Sequence, residues 1–158
     1  MIPALIATML IVAAPAVEVS ATVENLPIEI EAWKKLPQVK LTVDERGKSA
    51  TYTGIPLAHF LKAQLPGKAG MAELRGLSDA VLVVGASDGY QAVFSAAEVA
   101  MDPKGERYLF ALEQDGKPLD EKQGPARLVV SSDPQHVRWV RMINSVQLIR
   151  LKTRKMQS

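Results

Sequence analysis

Turn signals recur so closely along this chain that long helices have no room between them. Ten glycines and ten prolines are spread through 158 residues, many beside Asp, Ser or Lys, and such pairs mark reversals. Short runs rich in β-branched and aromatic residues lie between them, so strands should outnumber helices. The length suits one domain with a real core and is short for two. A formal net charge of +2 is too small a footprint for nucleic acid, and none is expected as a partner.

Val39 to Val43 and Ser49 to Thr53 flank Asp44-Glu45-Arg46-Gly47-Lys48, a hairpin signature with a glycine in the loop. Leu57, Phe60, Leu61 and Leu65 then fall on one helical face, with Pro56 tolerated at the start and Pro66-Gly67 as the stop. His59 faces away from that stripe and reads as a surface histidine. Ala80 to Val84 is a continuous apolar run, as expected of a central strand buried on both faces. Ser87-Asp88-Gly89 breaks it, and Tyr90 to Phe94 alternates. Ser95 with Glu98 forms a capping box, so a short helix should open there and carry Val99 inward. Arg107 to Leu112, Ala126 to Val130 and Ser145 to Leu151 read as further strands, and Gln114 to Pro118 as a turn. Lys152 to Lys155 reads as a solvated tail. The fold class expected is α+β, a mainly-β mixed fold with short helices.

The first seventeen residues carry no charged side chain, and Thr8 is the one polar side chain among them. Ala14-Pro15-Ala16 is a small-x-small site, so residues 1–16 read as a signal peptide and residues 17–158 as the domain. The eleven residues between Pro3 and Pro15 would reach only ~17 Å as a helix, about half the hydrocarbon thickness. Export to the periplasm follows as the expected localisation.

The chain has no cysteine, which removes thiolate metal ligands, iron–sulfur sites and a cysteine nucleophile. Gly85-Ala86-Ser87-Asp88-Gly89 satisfies the nucleophile-elbow pattern, and Asp115 and His136 follow in hydrolase order. An elbow needs a helix after its turn, whereas Tyr90 to Phe94 is strand-like, so a hairpin turn is the better reading. Arg138-Trp139-Val140-Arg141 follows a polar loop, Ser131 to His136. An indole face and planar guanidinium forks are tools for holding a flat polar heterocycle. An Arg stacked on a core Trp explains the same spacing structurally. His59 and His136 belong to no ligand cluster, and no metal is expected.

Five segments in order, Ala50–Leu57, Ala86–Ser95, Asp115–Leu119, Gly124–Val130 and Arg138–Ile143, resemble the molybdopterin-binding domain of the sulfite oxidase family. The resemblance runs from about Val39 to Ile149 and implies a compact fold of mostly antiparallel strands. Catalytic members hold molybdenum through a cysteine thiolate, which this chain lacks, so the family's oxo-transfer is not expected. The chain looks like the small exported pterin-binding proteins of the PruR type, which act on membrane enzymes of cyclic-di-GMP metabolism. That likeness implies a reduced pterin or molybdopterin as ligand, the periplasmic domain of an inner-membrane signalling protein as partner, and a monomer when free. Trp139 or Tyr90 would stack on the ring, Asp88 would accept from the amino edge, and Arg138 and Arg141 would donate to the oxo group or a phosphate. Ser87 and Ser131 would add neutral hydrogen bonds. The alternative is a molybdopterin-dependent oxidoreductase or its accessory subunit.

Overall fold

The computed structural model describes residues 17–65 and 71–155; the expected signal peptide over residues 1–16 and the Pro66-Gly67 helix stop lie outside the described residues. The elements in chain order are β1 (Val17–Leu26), α1 (Ile30–Trp33), β2 (Val39–Glu45), β3 (Lys48–Pro56), α2 (Leu57–Gln64) and α3 (Met71–Arg75). They continue as β4 (Ala80–Ala86), β5 (Gln91–Ser95), α4 (Ala96–Ala100), β6 (Tyr108–Gln114), β7 (Lys117–Pro118), β8 (Arg127–Val130) and β9 (Ile143–Lys155). All pairing among the described strands is antiparallel. One sheet has the order β1-β9-β4-β5. The other runs β2-β3-β6, with β7 and β8 sharing the far side of β6. This is the mainly-β mixed fold expected.

Two tight turns shape the second sheet. Arg46 and Gly47 join β2 to β3 with φ of 56° and 80°, and Asp115 and Gly116 join β6 to β7 with φ of 52° and 75°. Two consecutive positive φ values make the two-residue hairpin turn whose twist matches the strands it joins. Asp115 also ties the two tips together, since its N–H donates to the Thr51 carbonyl at 2.7 Å and its Oδ1 accepts from the Thr51 N–H at 2.9 Å.

The core lies between the sheets and the short helices. Trp33 stacks on Phe110 with centroids 5.0 Å apart and meets the Phe60 ring edge-on at 5.1 Å. The α2 stripe buries Leu57, Phe60 and Leu61 completely or nearly so, as its spacing requires. Gly54 sits at a bulge between β3 and β6, where a Cβ would collide with the backbone of Phe110 and Ala111. Ser95 caps α4 by accepting from the Glu98 N–H at 3.4 Å, and Val99 points inward. Buried Asp102 accepts from three backbone N–H groups, those of Glu106, Arg107 and Tyr108. That arrangement holds the loop leading into β6.

Two readings of the sequence are corrected, and the hairpin reading of Ser87-Asp88-Gly89 is borne out. The run at Ala80 to Val84 is an inner strand, but Val81 and Val83 are half-exposed, because the face of that sheet away from the core carries no covering layer among the described residues. The basic segment after Leu151 is no tail, since its backbone continues β9 and pairs with β1. The turn at Ser87-Asp88-Gly89 leads into β5, so the elbow pattern sits on a β-hairpin without the following helix.

Candidate functional site

A cleft of about 750 Å³ opens where the tips of the β2–β3 and β6–β7 hairpins face the 131–142 segment joining β8 to β9. A smaller hollow of about 230 Å³, bordered by Ala86, Asp88 and Tyr90, shares His136, Trp139 and Arg141 with it. The larger volume is in the range of small-molecule sites.

The floor is built on Arg127, the first residue of β8 and only 6% exposed. An arginine inside the buried run Ala126-Arg127-Leu128-Val129-Val130 must find partners, because an unpaired buried charge is costly. Its NH2 donates to Glu45 Oε1 at 2.7 Å, and its NH1 donates to the Tyr52 hydroxyl at 2.7 Å and to Gln123 Oε1 at 2.5 Å. Tyr52 in turn donates to Glu45 Oε2 at 2.6 Å. Burial pushes the Glu45 carboxyl up, but hydrogen bonds from Tyr52 and Arg127 outweigh it and hold the group below the ordinary carboxylate range. Burial, followed by the bond to Glu45, moves the Tyr52 phenol well above its usual value. The Arg127 Nε–H is buried with no hydrogen-bond partner among the described residues.

The guanidinium lies 5.1 Å from the Tyr52 ring centroid and 5.0 Å from that of Trp139. Trp139 is 7% exposed, donates its Nε1–H to the Val130 carbonyl at 2.7 Å and carries the His136 imidazole stacked at 3.9 Å. His136 holds that position with a φ of 54°.

Around this floor the rim is basic. Arg46 and Lys48 border the cleft from the β2–β3 tip and Arg141 from the opposite wall. None of the three has a side-chain hydrogen bond or ion pair among the described residues, so their donors are uncommitted. Asp115 is the acidic counterpart on the larger cleft, Glu45 being already paired with Arg127.

The structure brings Asp88, Tyr90, Trp139 and Arg141 together around the smaller hollow. Asp88 Oδ1 accepts from the Tyr90 N–H at 3.0 Å, and the Tyr90 hydroxyl donates to the Val137 carbonyl. Ser87 is exposed in the same turn without bordering either cleft. Ser131 and Arg138 are directed elsewhere. Ser131 donates to the Glu106 carbonyl at 2.6 Å. Arg138 forms a two-point pair with Asp133 at 2.8 and 2.5 Å and lies over Phe94. That pair holds the Arg138 guanidinium above its ordinary pKa. The arginine stacked on the core tryptophan is therefore Arg127, from outside the Arg-Trp-Val-Arg run, and of that run's two arginines it is Arg141 that reaches the cleft, beside Trp139.

Sequence reasoning passed over Glu45, Arg46, Lys48, Gln123, Arg127 and, as a cleft residue, His136. The signal for Arg127 was present, since a lone charge in a buried strand has to be paired. Among the described residues no group of three or more His, Asp or Glu side chains is placed to hold a metal ion. The family model of the oxidoreductase molybdopterin binding domain matches residues 8–156. No curated protein matches the chain.

Proposed function

The chain belongs to the oxidoreductase molybdopterin binding domain family, and from that premise we propose that it is an exported, non-catalytic pterin-binding protein. In this reading it relays the state of its ligand to the periplasmic domain of a membrane enzyme of cyclic-di-GMP signalling. One observation carries the proposal. A cleft of ligand size combines three uncommitted cations with a carboxylate and a flat ring surface, in a family that binds pterins.

The donor set fits the organic part of such a cofactor. A pterin has a flat bicycle, an amino edge that donates and an oxo group that accepts. Asp88 would take the amino edge and Arg141 the oxo group, while Arg46 and Lys48 would hold a phosphate or other anionic tail. His136, braced by Trp139, supplies the ring against which the bicycle would lie. The metal half fits poorly, because the chain has no cysteine to serve as the thiolate ligand. When bound, the pterin supplies a redox-active ring. The residues of the chain bind and orient it, and Arg127 with Glu45 and Tyr52 keeps the floor rigid.

The charge-free apolar stretch at residues 1–17 supports export. The signalling partner rests on the likeness to small exported pterin-binding proteins.

Titration of the purified protein with a reduced pterin, followed by ligand fluorescence, tests the reading. Loss of a charge-assisted hydrogen bond removes about 1.5–3 kcal/mol, or roughly tenfold or more in affinity. Arg141→Ala should show that loss, whereas Arg138→Ala, spent on Asp133, should stay within about twofold. No saturable binding, or equal losses in both variants, would count against the assignment.

A further inference from the structure

We propose that the free edge of β1 is a self-association site, at which two copies of the chain pair antiparallel, β1 against β1. The inference is independent of the ligand assignment.

An unpaired sheet edge presents a row of N–H and C=O groups that can template another strand, and proteins usually blunt such edges with Lys, Pro, bulges or short length. The other outer strands of this fold follow that practice. β5 has five residues, β7 has two and includes Pro118, β8 takes a bridge from Val140, and β2 carries Lys40. β1 does not. Its ten residues, Val-Glu-Val-Ser-Ala-Thr-Val-Glu-Asn-Leu, contain no Lys, Arg, Pro or Gly. They pair with β9 from Val17↔Lys155 to Leu26↔Val146 without a register shift. No described strand pairs with the other side of β1.

The strand also reaches past the body of its sheet. β4 stops pairing with β9 at Ala80↔Arg150, with one further backbone bond from the Leu151 N–H to the Asp79 carbonyl, so Val17 to Ser20 and their β9 partners form a two-stranded ribbon. Val17 and Val19 on it are 53% and 61% exposed. A two-stranded ribbon is marginal in water, and additional strands are what stabilise it. Buried Leu26 sets the parity, placing even positions on the core side and Val17, Val19, Ala21 and Val23 together on the outer face.

Among registers that pair at least seven of its residues, the sequence of β1 matches itself in one. Keeping the apolar face continuous requires residues of equal parity to stand opposite each other. A two-fold axis at Ser20 sets Val17 against Val23, Val19 against Ala21 and Glu18 against Thr22. Moving the axis to Ala21 sets Glu18 against Glu24, and like charges directly opposite are destabilising. Moving it to Thr22 sets Val19 against Asn25 and Ser20 against Glu24, which breaks the apolar pairing. The Ser20 register therefore has apolar side chains opposite apolar ones and no carboxylate facing another. It joins the two ribbons into a four-stranded β9-β1-β1-β9 unit. The monomer expected for the free chain is then its dilute state.

A lone engineered thiol reads the register, because the chain has no cysteine of its own. In the proposed dimer Ser20 faces its own copy with Cα atoms about 4.5–5.5 Å apart, within disulfide range. Thr22 lies about 14 Å from its copy, four residue steps along the strand. After expression of the full chain and mild oxidation, Ser20→Cys should form a covalent dimer and Thr22→Cys should stay largely uncross-linked. Sedimentation equilibrium of the unmodified protein should show a concentration-dependent doubling of mass. Val19→Lys, at an exposed position, should weaken that association tenfold or more while leaving the circular dichroism spectrum unchanged. A monomer at every concentration overturns the proposal. So does a dimer in which Thr22→Cys cross-links as readily as Ser20→Cys. A dimer weakened by Val19→Lys but not captured by Ser20→Cys would mean stacked outer faces, which also overturns it.

Discussion

Replacing Arg127 with methionine tests whether the floor of the cleft is held by one buried cation. The substitution keeps most of the side-chain length and deletes three hydrogen bonds, to Glu45, Tyr52 and Gln123. Removing one member of a buried ion pair costs roughly 3–5 kcal/mol, because the other charge is left uncompensated. The Glu45 side chain keeps 24% exposure and its bond from Tyr52, so the lower end, about 3 kcal/mol, is expected. For a domain of this size that is a fall in Tm of about 6–12 °C. Urea denaturation with an unchanged m value is the assay. The Glu45 carboxyl is held below its ordinary value in the folded state, so its stabilising effect is present above about pH 4.5 and disappears as pH falls through the lowered value. The variant lacks most of that effect, and its deficit should shrink in acid. Arg127→Met with Glu45→Gln should cost less than the sum of the two single changes. A Tm loss under about 2 °C, or a deficit that does not narrow as pH falls, would refute the argument.

Asp102→Asn replaces an acceptor of three backbone N–H bonds with a group that presents its own N–H donors. It should cost about 2–4 kcal/mol in the same urea assay. Gly54→Ala forces a methyl into the Phe110 backbone and should lower the urea midpoint by more than Ser95→Ala, which removes a long capping bond worth about 0.5–1 kcal/mol. Burial and the bond to Glu98 push the Tyr108 phenol from 10.0 up to about 12. Its stabilising effect is complete below pH 10 and lost as pH rises toward 12, and Tyr108→Phe should flatten that part of an alkaline stability scan.

The local chemistry of turns was legible from the residues alone. Asp44 to Lys48, Asp115-Gly116 and the Ser95 N-cap of α4 all lie where their composition required, and so does the apolar stripe of α2, whereas the Glu98 carboxylate turns to Arg107 and Tyr108 instead of closing a capping box. Features decided by distant pairing were not legible. β1 alternates Val with polar residues, yet its valines face outward, and its structure depends on β9 more than a hundred residues away. The Arg-Trp-Val-Arg run suggested that Trp139 and a neighbouring arginine act together. The strand assembly instead put Arg127 against that indole and turned Arg138 toward Asp133. Arg46 and Lys48 looked like ordinary hairpin charges until the fold set their turn opposite Arg141. The family resemblance was legible because its five segments are the turns and strands that frame this cleft.

The most direct measurement of the central claim is mass spectrometry, with metal analysis, of the small molecules released when protein purified from its native compartment is denatured. A pterin released in near-stoichiometric amount without molybdenum is the result predicted. Molybdenum together with a pyranopterin would contradict the non-catalytic reading. Protein that releases no pterin and binds none when it is added would contradict the assignment of the cleft itself.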